Sequence, residues 1–590
     1  MLSKSFPLSP RCQRRVSQTR RRRSGLGRRL LLLLALLGSG GCRSSLPPPL
    51  ASTPPAPPWF RDVTTEAGID FVHDAGPTGD FLLPQIVGSG AAVLDCDGDG
   101  LLDLYFLSNG GPQSRSTNRL FRQLPGGRFQ DVSKGSGLNI AGHNMGVAVG
   151  DVDNDGRPDV LVTQYHGLRL FHNDGGGRFT DISEQAGLHN PLWGTSAAFF
   201  DFDRDGWLDL VVVNYVDYDP SRPCSNGRGQ RDYCGPGIFD GSVTKLFHNR
   251  GCSSAGTGVR FDDVTATSGL AQKTGPGLGV VCADFDGDGW SDIFVANDGM
   301  PNRLWINQKN GTFKEEAVLR GIAYNNMGQA QAGMGVALGD VDGDGLFDVF
   351  VTHLTDETNT LWRQGPRGIF RDGTLATGLA QTPARGTGFG TFLGDFDSDG
   401  WLDLAVVNGR VYLGEPRNEA VLGPYWSRFA ETNRLWFGEG KGRFRDRSAA
   451  DAAFAGAGAV SRGLICADLD NDGGLDLIVT TVAGPAQLYR NVASGRGHWL
   501  SVRAWEPKLR RDAYGAVVTV RAGGKKWLRW LNPGQSYLCS NDPRAHFGLG
   551  NIERIEAIEV VWPDGSREQF DGGSVDKFIT LSKGEGTARP

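Results

Sequence analysis

The chain has 590 residues, too many for one ordinary domain, and its 86 glycines follow no Gly-X-Y period, which excludes collagen and points to several domains or to repeats. An apolar fraction of 39% with 9% aromatics suffices for a packed core and excludes wholesale disorder. The net charge of −5 conceals two parts: residues 1–41 hold ten basic residues and no acid, and without them 51 basic residues face 66 acidic ones, a net −15. So acidic a body is a poor partner for nucleic-acid phosphate and a good one for cations.

Positions 20–29 are basic, Leu30 to Leu37 is an apolar run of eight, and Gly38, Ser39, Gly40, Gly41 and Cys42 follow. Eight apolar residues are too few to span a bilayer, and basic, apolar, small is the layout of a secretory signal over residues 1–42. Gly40-Gly41-Cys42 resembles the lipobox of bacterial lipoproteins, although Ser39 stands where leucine is usual, and Arg28-Arg29-Leu30-Leu31 resembles a twin-arginine signal. The resemblance implies lipidation of Cys42 and an exported chain, periplasm-facing or at the cell surface, anchored to the outer membrane. Plain cleavage beside an unmodified Cys42 is the alternative. Residues 43–58, with prolines at 47–49, 54, 55, 57 and 58, read as an extended tether.

The pattern Asp-x-Asp-x-Asp-Gly-x-x-Asp then occurs seven times, at spacings of 56, 50, 83, 56, 55 and 73 residues. A period near 55 with two longer gaps means repeated supersecondary units carrying insertions. Each copy leads into a short β-branched or aromatic run such as Leu104-Tyr105-Phe106-Leu107 or Leu210-Val211-Val212-Val213, read as a buried strand. A Leu-aromatic pair follows (Leu120-Phe121 to Leu488-Tyr489), then a Gly-rich turn and Phe-x-acid (Phe129-Gln130-Asp131 and its equivalents). Several short strands per unit make a propeller blade. Phe-x-acid also precedes the first motif, at Phe60-Arg61-Asp62, and is missing after the seventh, so residues 59–64 are expected to complete the last blade. The expected fold is all-β: a seven-bladed β-propeller with calcium loops over 59–493, a small antiparallel β-sandwich domain over 494–583, and a tail at 584–590.

The aspartates of the motif are Asp95, Asp97, Asp99 and Asp103; Asp151, Asp153, Asp155 and Asp159; Asp201, Asp203, Asp205 and Asp209; Asp284, Asp286, Asp288 and Asp292; Asp340, Asp342, Asp344 and Asp348; Asp395, Asp397, Asp399 and Asp403; and Asp468, Asp470, Asp472 and Asp476. Three carboxylates at alternate positions, an invariant glycine for a sharp turn and a fourth carboxylate wrap oxygen around one hard cation, and four carboxylates on a flexible loop suit Ca²⁺ better than Mg²⁺. The seventh position should ligate through its backbone carbonyl, which frees its side chain to vary: Leu101, Arg157, Trp207, Trp290, Leu346, Trp401 and Gly474. An EF-hand is excluded, because position 12, which must be Glu, is Phe106, Val162, Val212, Val295, Val351, Val406 and Val479. About seven structural calcium ions would take the body from −15 to −1.

These loops and strands resemble FG-GAP (VCBS-type) repeats of the integrin-α propeller. The C-terminal part resembles the ASPIC/UnbV domain in Arg511-Asp512-Ala513-Tyr514-Gly515-Ala516, Gly534-Gln535-Ser536-Tyr537-Leu538, Phe547-Gly548-Leu549-Gly550 and Val561-Trp562-Pro563-Asp564-Gly565. The combination resembles bacterial relatives of the cartilage acidic protein family, and the segment at about 214–245 resembles an insertion of those relatives. The family implies calcium binding and extracellular interaction. No EGF-like cysteine module follows, as it does in some animal members.

Cys224 and Cys234, ten apart in one loop of an exported protein, read as a disulfide. Cys282 and Cys466 read as small buried hydrophobes, while Cys96, Cys252 and Cys539 are unassigned. Gly275-x-Gly277-x-Gly279 and Gly386-x-Gly388-x-Gly390 read as close blade packing, not dinucleotide loops. His172 and His248 share one repeat position and read as structural. No catalytic residue emerges. The expected function is extracellular or cell-surface binding or adhesion to a protein or glycan ligand, with no nucleic acid and with the membrane touched only through the anchor. The alternative is a polysaccharide lyase or hydrolase with its site in the channel or the 214–245 insertion. Titratable groups converging in the channel would favour the enzyme, and an aromatic outer face would favour binding.

Overall fold

The computed structural model describes residues 57–252, 258–381 and 385–589. The signal segment, Cys42 and all but the last two residues of the tether lie outside the described residues.

Each Asp motif connects the first and second strands of a four-stranded antiparallel meander, its ninth residue opening the second strand. In the first sheet these strands are Ala91–Leu94, Asp103–Phe106, Arg119–Leu124 and Arg128–Asp131, with Val93 opposite Leu104, Leu104 opposite Phe121 and Phe121 opposite Asp131. The Leu-aromatic pair thus lies on the third strand and Phe-x-acid on the fourth. Among the described residues there are seven such sheets. The first strands of the others are Asn144–Gly150, Gly194–Phe200, Gly277–Ala283, Val336–Gly339, Gly388–Gly394 and Ser461–Ala467. These innermost strands pack side by side in a closed cycle, the last against the first, which makes the molecule a propeller.

The ring closes where the sequence places the seam. Phe60–Asp62 pairs antiparallel with Gln487–Asn491, Phe60 opposite Asn491 and Asp62 opposite Tyr489. The Trp59 and Phe60 amides both donate to Oδ1 of the buried Asp451, at 2.7 and 2.9 Å. The glycine runs are points of close approach between sheets. A Cβ at Gly279 would stand 2.2 Å from the Met334 carbonyl oxygen, and one at Gly390 would stand 2.4 Å from the Leu464 amide nitrogen. Cys282 and Cys466 are buried on innermost strands.

The C-terminal module packs a sheet built on His498–Glu506 against a five-stranded sheet built on Val517–Ala522 and Arg554–Val561, with Val502, Val518, Phe547 and Val560 between them. Two expectations need correction. The sandwich is not purely antiparallel, because His498–Glu506 pairs in parallel with Lys577–Ser582. That strand arrives from the other sheet through Val575 and Asp576, so no hairpin within its own sheet sets its direction. Nor are residues 584–590 merely a tail. Gly584 donates its amide to Glu568, and Thr587–Arg589 forms an edge strand on Arg567–Ser574. Main-chain bonds make that strand, so no apolar pattern announces it.

The module also plugs the propeller. Its segment 532–541 enters the central channel and bonds the free edges of the innermost strands. Ser540 exchanges bonds with Ala91 and Val93, and Val147 donates to the Leu538 carbonyl. Val336 and Ser536 bond each other, Cys466 donates to Asn541, and the Asn532 amide group donates to the Phe199 carbonyl. Strand-edge amides that would otherwise face an apolar channel are thereby satisfied. Ser536 and Leu538 adopt φ of +77° and +59°, a left-handed backbone that costs about 1–3 kcal/mol each and is held by this docking. Tyr537 lies among Leu278, Met334 and Phe389, and its hydroxyl donates to the Val87 carbonyl at 3.1 Å.

Candidate metal centre

The seven Asp loops share one hydrogen-bond pattern. The first aspartate accepts the amide of the sixth residue, as Asp95 does from Gly100 at 2.9 Å and Asp151 from Gly156 at 2.8 Å. Asp201, Asp284, Asp340, Asp395 and Asp468 do the same. The fifth residue accepts the amide of the seventh in every copy. The ninth aspartate brackets the loop. Asp103 takes the Cys96 amide on one oxygen at 2.9 Å and the Gln123 amide, from the third strand, on the other at 2.7 Å. Asp159, Asp209, Asp292, Asp348, Asp403 and Asp476 repeat this pair of bonds.

The glycine at position 6 has φ between +82° and +98°, the reason no side chain is tolerated there. Position 4 is left-handed too, in Gly98, Asn154, Arg204, Gly287, Gly343, Ser398 and Asn471. The sequence reading missed it, though its Gly and Asn content was the available signal.

Burial raises the first and ninth carboxyls of every loop. Asp151 and Asp468 rise to about 7, Asp201 and Asp103 to about 6, and Asp348 to about 8. Asp159, Asp209, Asp292, Asp395, Asp403 and Asp476 lie well above the ordinary carboxylate value for the same reason. A positive partner would favour the ionised form of these buried carboxyls.

The donor set suits a cation. Carboxylate oxygens of Asp151, Asp153 and Asp159, and of Asp201, Asp203 and Asp209, lie within 4.8 Å of one another, a span that one ion can bridge with Ca–O distances of about 2.4 Å. Asp97, Asp201 and Asp397 each keep a buried Oδ1 without a hydrogen bond. Among the described residues, the carbonyls of Leu101, Arg157, Trp207, Trp290, Leu346, Trp401 and Gly474 accept no hydrogen bond either, which leaves the seventh-position oxygen free to ligate.

Two sets of contacts to the loops were not foreseen from the sequence. One set follows the Leu-aromatic pair. His172 Nε2 lies 3.1 Å from Asp153 and His248 Nε2 3.0 Å from Asp203, while Arg122, Arg363 and Arg490 face Asp97, Asp342 and Asp470. The hydrogen bond to Asp153 raises His172 to about 10, and the bond to Asp203 does the same for His248. The two histidines, read as structural from their shared repeat position, are partners of the loops. Among the described residues the loop starting at Asp395 is ion-paired to no side chain, and burial lifts its Asp399 to about 6.

The other set links neighbouring loops. Asn173, Asn249, Asn307 and Asn491 donate to the second-position carbonyls of adjoining loops, Cys96, Val152, Phe202 and Phe396, at 2.8–3.1 Å. Gln123 does so to Leu469 across the seam at 2.8 Å. Leu-aromatic-x-Asn was the legible signal.

Of the remaining expected site residues, Cys224 and Cys234 are disulfide-bonded in the insertion. The C-terminal module lies over the loop face. Arg511 donates to Asn154, Arg544 to Asn471, Trp527 to the Gly400 carbonyl, and His546 faces the Gly473 carbonyl.

Comparison with known proteins follows the same division. A family described as FG-GAP-like repeat matches residues 95–162, 151–212, 284–351 and 340–406. A family described as ASPIC and UnbV matches residues 506–588. Cartilage acidic protein 1 of Mus musculus is 31% identical over 310 residues, 51% of this chain and 44% of its own length. Its Homo sapiens counterpart is 30% identical over 312 residues, 51% of this chain and 43% of its own. The chain therefore spans less than half the length of these curated relatives. Among solved structures, an Agrocybe aegerita lectin with specific recognition of non-reducing terminal N-acetylglucosamine gives a TM-score of 0.37 at 16% identity, covering 67% of this chain and 86% of that one. BBS1N in complex with ARL6DN gives 0.38 at 10% identity, covering 75% and 99%. The chain carries FG-GAP-like repeats and an ASPIC and UnbV domain, and cartilage acidic protein 1 is its homologue.

Proposed function

We propose that this chain, an FG-GAP-like-repeat and ASPIC/UnbV protein homologous to cartilage acidic protein 1, is an exported, calcium-stabilised propeller for extracellular adhesion-type binding to a protein or glycan. The observation that carries the calcium part is the loop set, with one bonding pattern repeated around the ring and a free seventh carbonyl in each copy. Buried carboxylates of one sign are costly without a counter-ion, so metal and fold are coupled. The binding part is supported by the face opposite the loops, where Tyr165, Phe239, Tyr412, Tyr425 and Trp426 stay partly or fully exposed.

The channel itself offers little to the enzymatic alternative. Segment 532–541 fills it, and what remains beside Asp298 and Tyr412 is a cavity of about 80 Å³, against roughly 300–1,000 Å³ for ordinary ligand pockets. Capture of partners from native extracellular material tests the reading. Retention lost on chelation and regained with calcium is expected, and retention indifferent to calcium contradicts it. The lipid anchor predicts that Cys42→Ser moves the chain from membranes to the soluble fraction, and unchanged membrane association would remove the anchor from the account.

A further inference from the structure

A cavity of about 520 Å³ lies between the C-terminal module and the loops that begin at Asp95 and Asp151. Its size falls within the usual range for ligand sites, roughly 300–1,000 Å³. The module wall carries Arg503, Trp505, Arg510, Arg544 and Phe578. Two of these arginines are already neutralised. Arg503 grips Asp512 through both of its contacting nitrogens and lies 4.4 Å over the Trp505 ring. Arg544 holds Asp542 at 2.6 Å and lies 5.5 Å over the Phe578 ring.

Arg510 differs. It is exposed, and among the described residues it has no hydrogen-bond or ion-pair partner. Its φ of +53° is left-handed, a conformation that glycine or asparagine holds at less cost than arginine. Phe578 stays 43% exposed and Trp505 is half-buried, and both rings line the cavity together with the guanidiniums packed over them. An unpaired guanidinium on strained backbone, lining the same cavity as two aromatic rings, is a recognition set for a ring with apolar C–H faces and an acidic substituent.

We infer that this cavity binds an anionic saccharide, the pyranose ring against Trp505 and Phe578 and the carboxylate on Arg510. The inference names a ligand class for the binding function proposed above and rests on that reading, but on no contact with a metal. Calorimetric titration of the intact chain in calcium-containing buffer tests it, with trigalacturonate as the probe, maltotriose as its neutral counterpart and hexaglutamate as the acidic peptide. Saturable binding of trigalacturonate is expected, at least about tenfold tighter than either control, in line with the loss of a charge-assisted hydrogen bond.

Arg510→Asn should weaken that binding by about tenfold without lowering the melting temperature, because asparagine tolerates the left-handed backbone. Phe578→Ala should weaken trigalacturonate and maltotriose alike. No binding of trigalacturonate, equal binding of maltotriose, preference for hexaglutamate, or undiminished affinity in Arg510→Asn would each overturn the inference. If stabilisation by calcium persists in any of those cases, only the saccharide site falls. Saccharide binding by a chain whose stability ignores calcium would instead count against the calcium reading.

Discussion

The side-chain amide of Asn249 donates to the backbone carbonyl of Val152 at 2.8 Å, tying the third strand of one sheet to the Asp loop of the preceding one. The same amide also reaches the Leu208 carbonyl of its own loop at 3.0 Å. Two neighbouring loops therefore share one rigid buried donor, and ordering either helps to order the other.

Asn249→Ala should destabilise by about 1–3 kcal/mol, since it leaves buried carbonyls unpaired. It should also flatten the calcium dependence of the melting curve by uncoupling adjacent loops. Calorimetric melts over a calcium series read both effects, and a parallel shift with unchanged calcium dependence would count against coupling.

The fifth and ninth aspartates of a loop should behave differently. Asp103 is fully buried and satisfies two amides, so Asp103→Ala should cost several kcal/mol with or without calcium, about 1–3 for each orphaned amide. Asp99 is exposed and, among the described residues, its side chain accepts only a local turn bond, from the Leu101 amide, so the cost of Asp99→Ala should show mainly when calcium is present. Leu101→Ala should cost less than either. Thermal melts in calcium and in chelator separate the three.

The seam gives a paired deletion test. Removal of residues 1–56 should leave the melting temperature unchanged. Removal of 1–64 takes away the strand Phe60–Asp62 and the two amides that satisfy Asp451, exposes the edge of Gln487–Asn491, and should cause aggregation or a large loss of stability. Equal behaviour of the two truncations would place closure elsewhere.

Much of the propeller was legible because its signals are local. The Asp motif, the Leu-aromatic pair and Phe-x-acid each report one connection or strand at fixed spacing, and the unmatched Phe60-Arg61-Asp62 reported the seam. What escaped depends on distant partners. Gly534-Gln535-Ser536-Tyr537-Leu538 stood out as a motif, yet nothing in it says that it fills a channel built some hundreds of residues earlier. Its left-handed residues, Ser536 and Leu538, are not glycine. The parallel pairing of Lys577–Ser582 and the edge strand Thr587–Arg589 follow from sheet-to-sheet crossings that no periodicity encodes. At the site, the carboxylates were visible as a repeat. Asn249 and its equivalents were overlooked because a single polar residue on a strand looks like surface until its neighbour is known.

Stability should also fall with acid through two buried histidines far from the loops. His73 sits 2.8 Å from the Val482 carbonyl and 3.1 Å from Ser89, and burial lowers it to about 4; burial does the same to His353. In the unfolded chain both titrate near 6.5, so between about pH 6.5 and 4 the unfolded state binds more protons. Their contribution is intact above about 6.5 and is lost as pH falls through that window, on the order of 3 kcal/mol each at its lower end. His353→Gln should make the decline of melting temperature with pH shallower, and an unchanged slope would contradict the assignment.

Metal content is the decisive property of the loops. With native-state binding alone, each site contributes about 2.7 kcal/mol at a hundredfold excess of calcium over Kd, so chelation should lower the melting temperature by many degrees, with calcium restoring it better than magnesium. Elemental analysis of protein purified without chelator is the most direct measurement. The seven loops predict about seven calcium ions per chain; one ion or none would contradict the central claim.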